Sequence, residues 1–584
     1  MTDPTVVVST CAGVSRPVRL YRQIQQRVTL RPGTARIAVL VLAAAMSRHF
    51  WVSEGSPSNI VFAAGVTFAL VAGLVLISGR LFFSAVVVTC MATVIIIASA
   101  VKQSAMSMVV HAYDLFFYLG SRSTLSYLWS DHRGYLLALV GALLIWALLA
   151  WLSYLADATR TPRRWAALAL AGFVAVGWWG AQLKGERRHL QFFYEDLYLS
   201  SFYASWRETI EALSRGALMQ AAPEPAVAPA AFTIPTSCHP ASKPPHIILI
   251  HEESLVQPSL FPTLHYDHAI DPFFRSDDGV THQLRVETYG GASWLTEFSL
   301  LAGISTQSFG GMRQFVQTFM QGRLRDTLPQ VLERCGYRNV VFYPMLKDFV
   351  SNDRFYSSIG LKEIFDLKAQ GATSVRERDR FYFENALAEL GRHLAASKKP
   401  LFTYIQTMSA HWPYDFTYEP QLVVAGGGPG TSAEMSEYLR RVAIAKRDYD
   451  YLLAELRRRF PRERFLIVHY GDHQPVATRG LLGFNADAEA EDVNLDSDSI
   501  GLVTYYAAHG VNYRAPPLPT YEPLAVSYLG TVILDLARLP LSDSHLERKR
   551  LMARCHGRYN GCSAPDEILM FHRRLIDSGI VAAN

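Results

Sequence analysis

A glycine pair followed by a hydroxyl, at the start of an apolar segment, is a pattern that places a nucleophile at a helix N-terminus. Residues 287–306 (ETYGGASWLTEFSLLAGIST) have this pattern, since Gly290 and Gly291 lead into Ser293. Glycines allow close backbone approach, and the N–H groups of a first helical turn favour an anion such as a phosphate. A small-residue turn that caps a core helix explains the same pattern equally well. Residues from elsewhere in the chain must decide between these interpretations.

Two acidic clusters follow apolar runs that are typical of buried strands. They are His251-Glu252-Glu253-Ser254 and Gly471-Asp472-His473. A carboxylate, an Asp-His pair and the Ser293 hydroxyl form a ligand set for Mn²⁺, Mg²⁺ or Zn²⁺. One such ion lowers the pKa of a hydroxyl and withdraws charge from a phosphoryl oxygen. Any single member has an ordinary structural explanation, but the set predicts metal-assisted chemistry.

The elements that must position these residues begin at Pro245, where short apolar runs alternate with helix-like segments. The predicted strands are 246–251, 339–344, 401–407, 465–471 and 502–509, and the predicted helices lie near 293–303, 324–335, 376–397, 432–459 and 523–537. Continuous apolar strands separated by amphipathic helices predict an α/β domain with a mainly parallel sheet covered by helices on both faces. Ligands bind at the carboxyl ends of such strands, where both acidic clusters fall.

The first third of the chain predicts a membrane domain. Five apolar runs, at 36–53, 59–78, 82–101, 134–156 and 164–183, are each close to the roughly 20 residues that cross a bilayer core. The Arg-rich residues 1–35 have no apolar core with a cleavage site, so they predict a cytoplasmic tail rather than a signal peptide. With Arg80, Arg160, Arg163 and Arg164 also inside, the positive-inside rule places everything after Lys184 outside.

The predicted organisation has five parts. They are a cytoplasmic tail (1–35), a transmembrane domain (36–185), juxtamembrane helices with a Pro/Ala linker (186–244), a catalytic domain (245–542) and a C-terminal helical extension (543–584). The aromatic loop 102–133 is expected to lie on the membrane interface. The formal net charge of +5 is spread along the chain without a basic, aromatic-rich run, so no nucleic-acid partner is predicted.

The sequence blocks around the candidate residues resemble those of a known family. HEES after an apolar strand, GGASWLTEFSLLAGIS and YGDHQP are similar, in order and spacing, to the signature blocks of the lipoteichoic acid synthase and phosphoglycerol or phosphoethanolamine transferase group. That group belongs to the alkaline phosphatase and sulfatase superfamily. The resemblance implies one divalent metal ion held by Glu253, Ser293, Asp472 and His473, and an external catalytic domain on a five-span anchor.

Two details of this resemblance concern individual residues. Glu253 is preferred to Glu252 because it directly precedes the serine of the family's acid-serine pair. The family usually has threonine where this chain has Ser293. Serine can perform the same attack, and other branches of the superfamily use it.

Two further blocks resemble the family's substrate-binding parts. TMSAHWPY points to His411 as a ligand for a phosphate oxygen, or as proton donor to the leaving alcohol. SNDRFYSSIGL makes Arg354 a candidate bidentate phosphate clamp, although Asn352 replaces an aromatic residue of the family motif. The structural alternatives are a histidine packed against Trp412 and a surface ion pair between Arg354 and Asp353.

Four of the six cysteines fall in the predicted external region, where oxidation is expected. Cys555 and Cys562 are close enough in sequence to close a small loop. Cys238 and Cys335 are a second candidate pair, with a buried thiol at Cys335 as the alternative. The spacings contain no CxxC pair that would indicate a structural zinc site.

These observations predict a membrane-anchored transferase of the bacterial inner membrane. Ser293 would attack a phospholipid, hold a phosphoglycerol or phosphoethanolamine ester, and pass it to a hydroxyl of an envelope glycan or glycolipid. The alternatives are a phosphodiesterase or sulfatase-type hydrolase and a catalytically inactive envelope scaffold. A sulfatase is disfavoured because Ser293 lacks the C/S-x-P-x-R context of that branch.

Overall fold

A computed structural model describes residues 29–54, 56–106, 109–117, 129, 133–183, 198–215, 219–224, 230–347, 352–424, 426–485 and 495–582. Most of the predicted tail (1–35), part of the predicted interfacial loop (102–133) and parts of the juxtamembrane segment (186–244) lie outside these residues. The chain divides into two compact units. One contains Met1–Ala112, Leu128–Arg187 and Tyr194–Trp206, and the other contains the remainder, including Arg207–Asn584.

The first unit is built from long apolar helices. The helices that precede the first strand of the chain are α1 (Pro32–Ser53), α2 (Pro57–Ser78), α3 (Leu81–Met106), α4 (Ala112–Phe117), α5 (Arg133–Ala156), α6 (Arg163–Leu183) and α7 (Tyr198–Arg215). Five of those described, α1, α2, α3, α5 and α6, are long and apolar enough to cross a membrane. The five predicted spans are therefore confirmed as helices, and the chain is a multi-pass membrane protein.

Small residues bring α2 and α6 close together. A Cβ atom on Gly65 would lie 2.4 Å from the Gly177 nitrogen, and one on Gly180 would lie 2.6 Å from the Phe62 nitrogen. Helices that cross a membrane commonly meet at such small residues, because lipid supplies no hydrophobic driving force and close backbone packing must replace it. Alanine at either position would force the two helices apart.

The second unit contains an eight-stranded sheet. The described strands are β1 (His246–Glu252), β2 (His265–Tyr266), β3 (His282–Arg285), β4 (Arg338–Phe342), β5 (Glu363–Phe365), β6 (Leu401–Gln406), β7 (Gly426–Gly427), β8 (Phe465–Gly471), β9 (Val503–Val511) and β10 (Leu524–Ala525). The order in the sheet is β10-β3-β9-β8-β1-β6-β4-β5. Only β9 runs antiparallel to its neighbours β8 and β3. Strands β2 and β7 form a separate antiparallel pair.

Helices cover both faces of this sheet. They are α8 (Ser293–Ala302), α9 (Val316–Phe319), α10 (Leu328–Arg334), α11 (Asn352–Ser358), α12 (Asp379–Ala396), α13 (Glu434–Arg459), α14 (Val526–Leu536), α15 (Asp543–Arg554) and α16 (Pro565–Asp577). Strand β1 shows the division, because its side chains alternate between the faces. Leu249 packs in the core that contains α8 and α14, and Ile250 packs in the core that contains α12 and α13. The predicted α/β fold class is confirmed.

The C-terminal helices are integral to the second unit. Leu551 of α15 and Phe571 of α16 lie in the same hydrophobic core as α8. Both candidate disulfides form, Cys238–Cys335 and Cys555–Cys562. The second bridge closes the turn that follows α15, so it holds the two C-terminal helices near that core.

Candidate active site

The turn that leads into α8 has an unusual backbone conformation. Gly290 and Gly291 have φ of 72° and 154°, and Ala292, the N-cap residue, has φ of 59°. No described side chain caps the helix. In its first turn the Leu295 N–H donates to the Ala292 carbonyl at 2.9 Å, whereas the N–H groups of Ser293 and Trp294 have no partner among the described residues and can serve another acceptor. Ser293 is the first residue of α8 and is half-buried. A left-handed alanine is strained, and such strain clusters at functional sites.

The ends of β1 and β8 bring the two acidic clusters together. The Ser254 N–H donates to Asp472 Oδ1 at 2.8 Å, and the Ser254 hydroxyl donates to Glu253 Oε1 at 3.0 Å. Close approach requires glycine at the end of β8, since a Cβ atom on Gly471 would lie 1.8 Å from the Leu255 carbonyl oxygen. Because glycine has no side chain, the turn after β1 can approach β8 closely enough to reach Asp472.

The four residues predicted to form the metal site lie together at this edge of the sheet. The Ser293 hydroxyl donates to Glu253 Oε2 at 2.9 Å and lies 3.4 Å from His473 Nε2. His473 Nε2 also lies 3.2 Å from Glu253 Oε1 and 3.3 Å from Asp472 Oδ2. The structure thus brings one hydroxyl, two carboxylates and one imidazole to a single point.

A fifth residue, His251, joins this cluster; it stands beside the predicted ligands in the sequence but was not predicted as one of them. Its Nε2 lies 3.1 Å from Asp472 Oδ2 and 3.9 Å from Glu253 Oε2. The ligand atoms of His251, Glu253 and Asp472 all lie within 4.8 Å of one another. The sequence feature that could have identified His251 is the two-residue period of an extended chain, which places His251 and Glu253 on the same side.

The electrostatics of the cluster favour a cation. Burial raises the pKa of Glu253, but the hydrogen bond and charge of His473 outweigh burial and hold that pKa well below its usual range. Burial lowers the pKa of His473, but Asp472 and Glu253 raise it to about 9. Asp472 likewise keeps the pKa of His251 above its ordinary value despite complete burial. The negative charge of these carboxylates stabilises the protonated form of two buried imidazoles, and the same negative charge would stabilise a divalent ion.

The donor atoms also fit a metal ion. His251 Nε2 and Asp472 Oδ2 are buried and face each other, yet neither has a hydrogen-bond partner among the described residues. Buried polar atoms are normally paired, so this arrangement is typical of ligands that converge on an ion. Nitrogen and carboxylate donors suit Zn²⁺, and carboxylates with a hydroxyl suit Mn²⁺ or Mg²⁺.

His411 lies near the cluster, whereas Arg354 has no contact with it. His411 is exposed, and its charge is among those that lower the pKa of Glu253. Buried Arg441 holds its backbone by donating to the His411 carbonyl at 2.7 Å. The Arg354 side chain is exposed on α11 and makes no hydrogen bond or ion pair with another described residue. Its role as a phosphate clamp stays a prediction.

The remaining polar residues of the sequence blocks have structural partners. Glu252 is on the opposite face of the sheet, where the Thr407 hydroxyl donates to it at 3.1 Å. The Thr296 hydroxyl donates to the Asp472 carbonyl at 2.8 Å, and the Ser299 hydroxyl donates to Glu287 at 2.9 Å. Among the hydroxyls of α8, Ser293 is therefore the one that faces the acidic cluster.

Comparison with known proteins identifies the class of the second unit. Residues 245–495 match the family model described as Sulfatase. They therefore form a sulfatase-family domain, and the predicted membership of the alkaline phosphatase and sulfatase superfamily is confirmed.

Two curated relatives match part of the chain. An uncharacterized protein of Haemophilus influenzae is 23% identical over 321 residues, which cover 52% of this chain and 54% of that protein. The lipoteichoic acid synthase of Staphylococcus saprophyticus is 22% identical over 158 residues, which cover 26% of this chain and 24% of the synthase. The chain thus spans about half the length of the first relative and a quarter of the second.

Many solved structures are also similar, among them two transferases. The phosphoglycerol transferase GacH of Streptococcus pyogenes has a TM-score of 0.44 at 13% identity, covering 57% of this chain and 87% of its own. The lipooligosaccharide phosphoethanolamine transferase A of Neisseria meningitidis has a TM-score of 0.45 at 13% identity, covering 85% of this chain and 95% of its own.

Proposed function

We propose that this protein is a metal-dependent transferase that moves a phosphoglycerol or phosphoethanolamine head group from a phospholipid to a hydroxyl of an envelope glycan or glycolipid. The main support is the convergence of Ser293 with Glu253, Asp472 and His473 at the carboxyl edge of the sheet. Further support comes from the sulfatase-family match and from five helices that can hold the chain in a membrane. A lipid donor suits a membrane-anchored active site.

Ser293 is the nucleophile in this mechanism. Glu253, Asp472, His473 and Ser293 would hold one divalent ion, which would lower the pKa of the Ser293 hydroxyl and withdraw charge from the phosphoryl oxygens. The hydroxyl loses its proton to solvent, and Oγ attacks phosphorus. Glu253 stays ionised because its pKa is held low, so it orients Oγ rather than storing the proton.

The first step forms the bond between Ser293 Oγ and phosphorus and breaks the bond from phosphorus to the diacylglycerol oxygen. We assign His411 to donate the proton that this leaving oxygen needs. The N–H groups of Ser293 and Trp294 at the start of α8 stabilise the phosphoryl oxygens. Arg354 is assigned as a phosphate clamp on the basis of its sequence block alone.

The second step reverses these roles. The acceptor hydroxyl gives its proton to His411 and attacks phosphorus, and the bond to Ser293 Oγ breaks. Ser293 regains a proton from solvent, which returns both residues to their starting states. If water took the place of the acceptor, the same residues would act as a phosphodiesterase.

We further propose that the catalytic unit lies outside the cytoplasmic membrane of a bacterium. The distribution of arginine at the ends of the spans favours this side, as argued from the sequence. Two disulfides in the second unit are also typical of an oxidising compartment.

Lipid turnover by the full-length protein in detergent tests the proposal. With a divalent metal ion, labelled phospholipid and no acceptor, we expect a burst of about one diacylglycerol per protein molecule, because the intermediate has no acceptor. Ser293→Ala should abolish the burst. Ser357→Ala, which alters an exposed serine on α11, should retain it. Continuous release of free head group would favour the hydrolase, and equal turnover by Ser293→Ala would exclude both enzymes.

A further inference from the structure

His251 lies where a metal ligand would lie, although the family resemblance assigns it no role. It is the penultimate residue of β1 and is 1% exposed. Nε2 faces Asp472 Oδ2 at 3.1 Å and Glu253 Oε2 at 3.9 Å. We propose that His251 is a further ligand of the active-site metal and that its imidazole makes the site select Zn²⁺ over Mn²⁺ and Mg²⁺, an inference that rests on the proposed function.

The second ring nitrogen of His251 is held in place by two tyrosines. Nδ1 lies 3.1 Å from the Tyr404 hydroxyl on β6 and 3.0 Å from the Tyr470 hydroxyl on β8. The two hydroxyls lie 3.2 Å apart. A neutral imidazole that ligates a metal through Nε2 must carry its proton on Nδ1 and donate it. The tyrosine oxygens are the acceptors that this tautomer needs.

The tyrosines are linked in turn to a buried carboxylate, that of Glu297. Gln406 Nε2 connects the two groups, because it donates to the Tyr404 hydroxyl at 3.4 Å and also to the Glu297 carboxylate. The carboxylate also accepts hydrogen bonds from Tyr356 at 2.5 Å and from Gln406 at 2.6 Å. Metal-ligating histidines usually donate their other N–H to a carboxylate, a carbonyl or water, which fixes the ring and raises its basicity. Here Tyr404 and Gln406 connect His251 to Glu297.

An ordinary buried ion pair between His251 and Asp472 is the structural alternative. Such a pair should form a hydrogen bond at 3.1 Å, but His251 Nε2 and Asp472 Oδ2 have no hydrogen-bond partner among the described residues. The two atoms approach to 3.1 Å outside hydrogen-bond geometry, as two ligands of one ion do. Geometry therefore favours the metal ligand.

The added imidazole changes the chemistry of the site. The ligand set becomes two imidazoles, two carboxylates and the Ser293 hydroxyl. Imidazole favours Zn²⁺, whereas Mn²⁺ and Mg²⁺ prefer oxygen ligands. The site should therefore take Zn²⁺ when these ions compete.

X-ray absorption spectroscopy of the zinc-loaded full-length protein counts the imidazole ligands directly. Two imidazoles, from His251 and His473, are expected. A single imidazole in the wild-type protein would overturn the proposal. This result does not depend on any variant folding, and it does not require lipid turnover.

Two matched variants test the same inference by affinity. His251→Asn should weaken Zn²⁺ binding by more than about 100-fold in a chelator competition, and Tyr470→Phe by about tenfold, as for other changes around a ligand. His469→Asn changes another fully buried histidine, which contacts Tyr505 on the opposite face, and should leave Zn²⁺ affinity unchanged. Circular dichroism establishes that each variant is folded.

The outcomes separate this inference from the proposed function. If a folded His251→Asn protein keeps wild-type Zn²⁺ affinity and preference over Mn²⁺, His251 is not a ligand, although Ser293 can still be the nucleophile. If Zn²⁺ is bound through two imidazoles but Ser293→Ala turns over lipid normally, the metal site stands and the transferase proposal fails.

Discussion

A methyl group on Gly471 tests how closely the ends of β1 and β8 must approach. In the Gly471→Ala variant the new Cβ atom would lie 1.8 Å from the Leu255 carbonyl oxygen and 3.2 Å from Thr504 Cβ. Because ordinary contact distances are well above 3 Å, the two segments would have to separate by roughly 1.5 Å. Asp472 would move with its neighbour and lose its hydrogen bond from the Ser254 N–H.

This movement is large compared with the tolerance of a metal site. Ligand distances are held within about 0.2 Å, so a shift of this size removes Asp472 as a ligand or distorts the whole set. We expect Gly471→Ala to weaken divalent metal binding at least tenfold, or about 1.4 kcal/mol. Overpacking should also reduce the free energy of unfolding by about 1–3 kcal/mol.

The matched control is Gly510→Ala. A Cβ atom on Gly510 would lie 1.8 Å from the Tyr513 carbonyl oxygen, so the steric conflict is of the same kind. Gly510 pairs with Leu466 near the amino end of β8, which places it roughly 16 Å along the strand from Gly471. This variant should unfold more easily but bind metal normally.

The assay is a chelator competition on each full-length variant, with thermal unfolding measured on the same samples. If Gly471→Ala binds metal as tightly as the wild type, the close approach does not position the ligands. If Gly510→Ala loses as much affinity as Gly471→Ala, the effect is general destabilisation, and the reasoning is refuted.

Three further predictions concern other parts of the second unit. Arg548→Met removes a fully buried guanidinium that donates to the Ala302 and Gly303 carbonyls at the end of α8, and should lower the free energy of chemical unfolding by about 3 kcal/mol. The control, Arg550→Met, changes an exposed arginine and should lower it by under about 1 kcal/mol. Equal losses would contradict the role of Arg548 as a cap of α8. Arg441→Met frees the backbone around His411 and should slow the release of diacylglycerol more than it weakens metal binding; an unchanged rate would contradict this. In the metal-free protein the pKa of His473 is raised to about 9, so its protonation stabilises the fold fully below about pH 6.5 and progressively less up to pH 9. The free energy of unfolding should therefore fall by about 3 kcal/mol across this range. Unfolding measured as a function of pH should show this fall in the wild type and not in His473→Asn.

The fold was predictable where the sequence pattern is long. β1 and β8 are continuous apolar runs, and α13 has a clear amphipathic pattern over 26 residues, so their positions could be read to within a few residues. Strands β5 and β10 were missed, because runs of three and two residues carry no periodicity. They are set by pairing with β4 and β3 in the folded sheet.

The candidate site was predictable where residues directly follow a strand. Glu253, Asp472 and His473 stand at strand ends, and the parallel sheet brings those ends together. His251 stands in the cluster at the end of β1 but was not predicted as a ligand, and its neighbours across the sheet, Tyr404 and Tyr470, support that role in the folded structure. The capping of α8 by Arg548 depends on residues 245 positions apart in the chain, which no local pattern indicates.

Mass spectrometry of peptides from the full-length protein tests the central claim most directly. The protein is incubated with phospholipid and a divalent metal ion in the absence of acceptor, quenched with acid and digested. The account predicts a phosphoglycerol or phosphoethanolamine ester on Ser293, present in the wild type and absent after chelation of the metal. Lipid turnover with no ester, or an ester on any other residue, would contradict it.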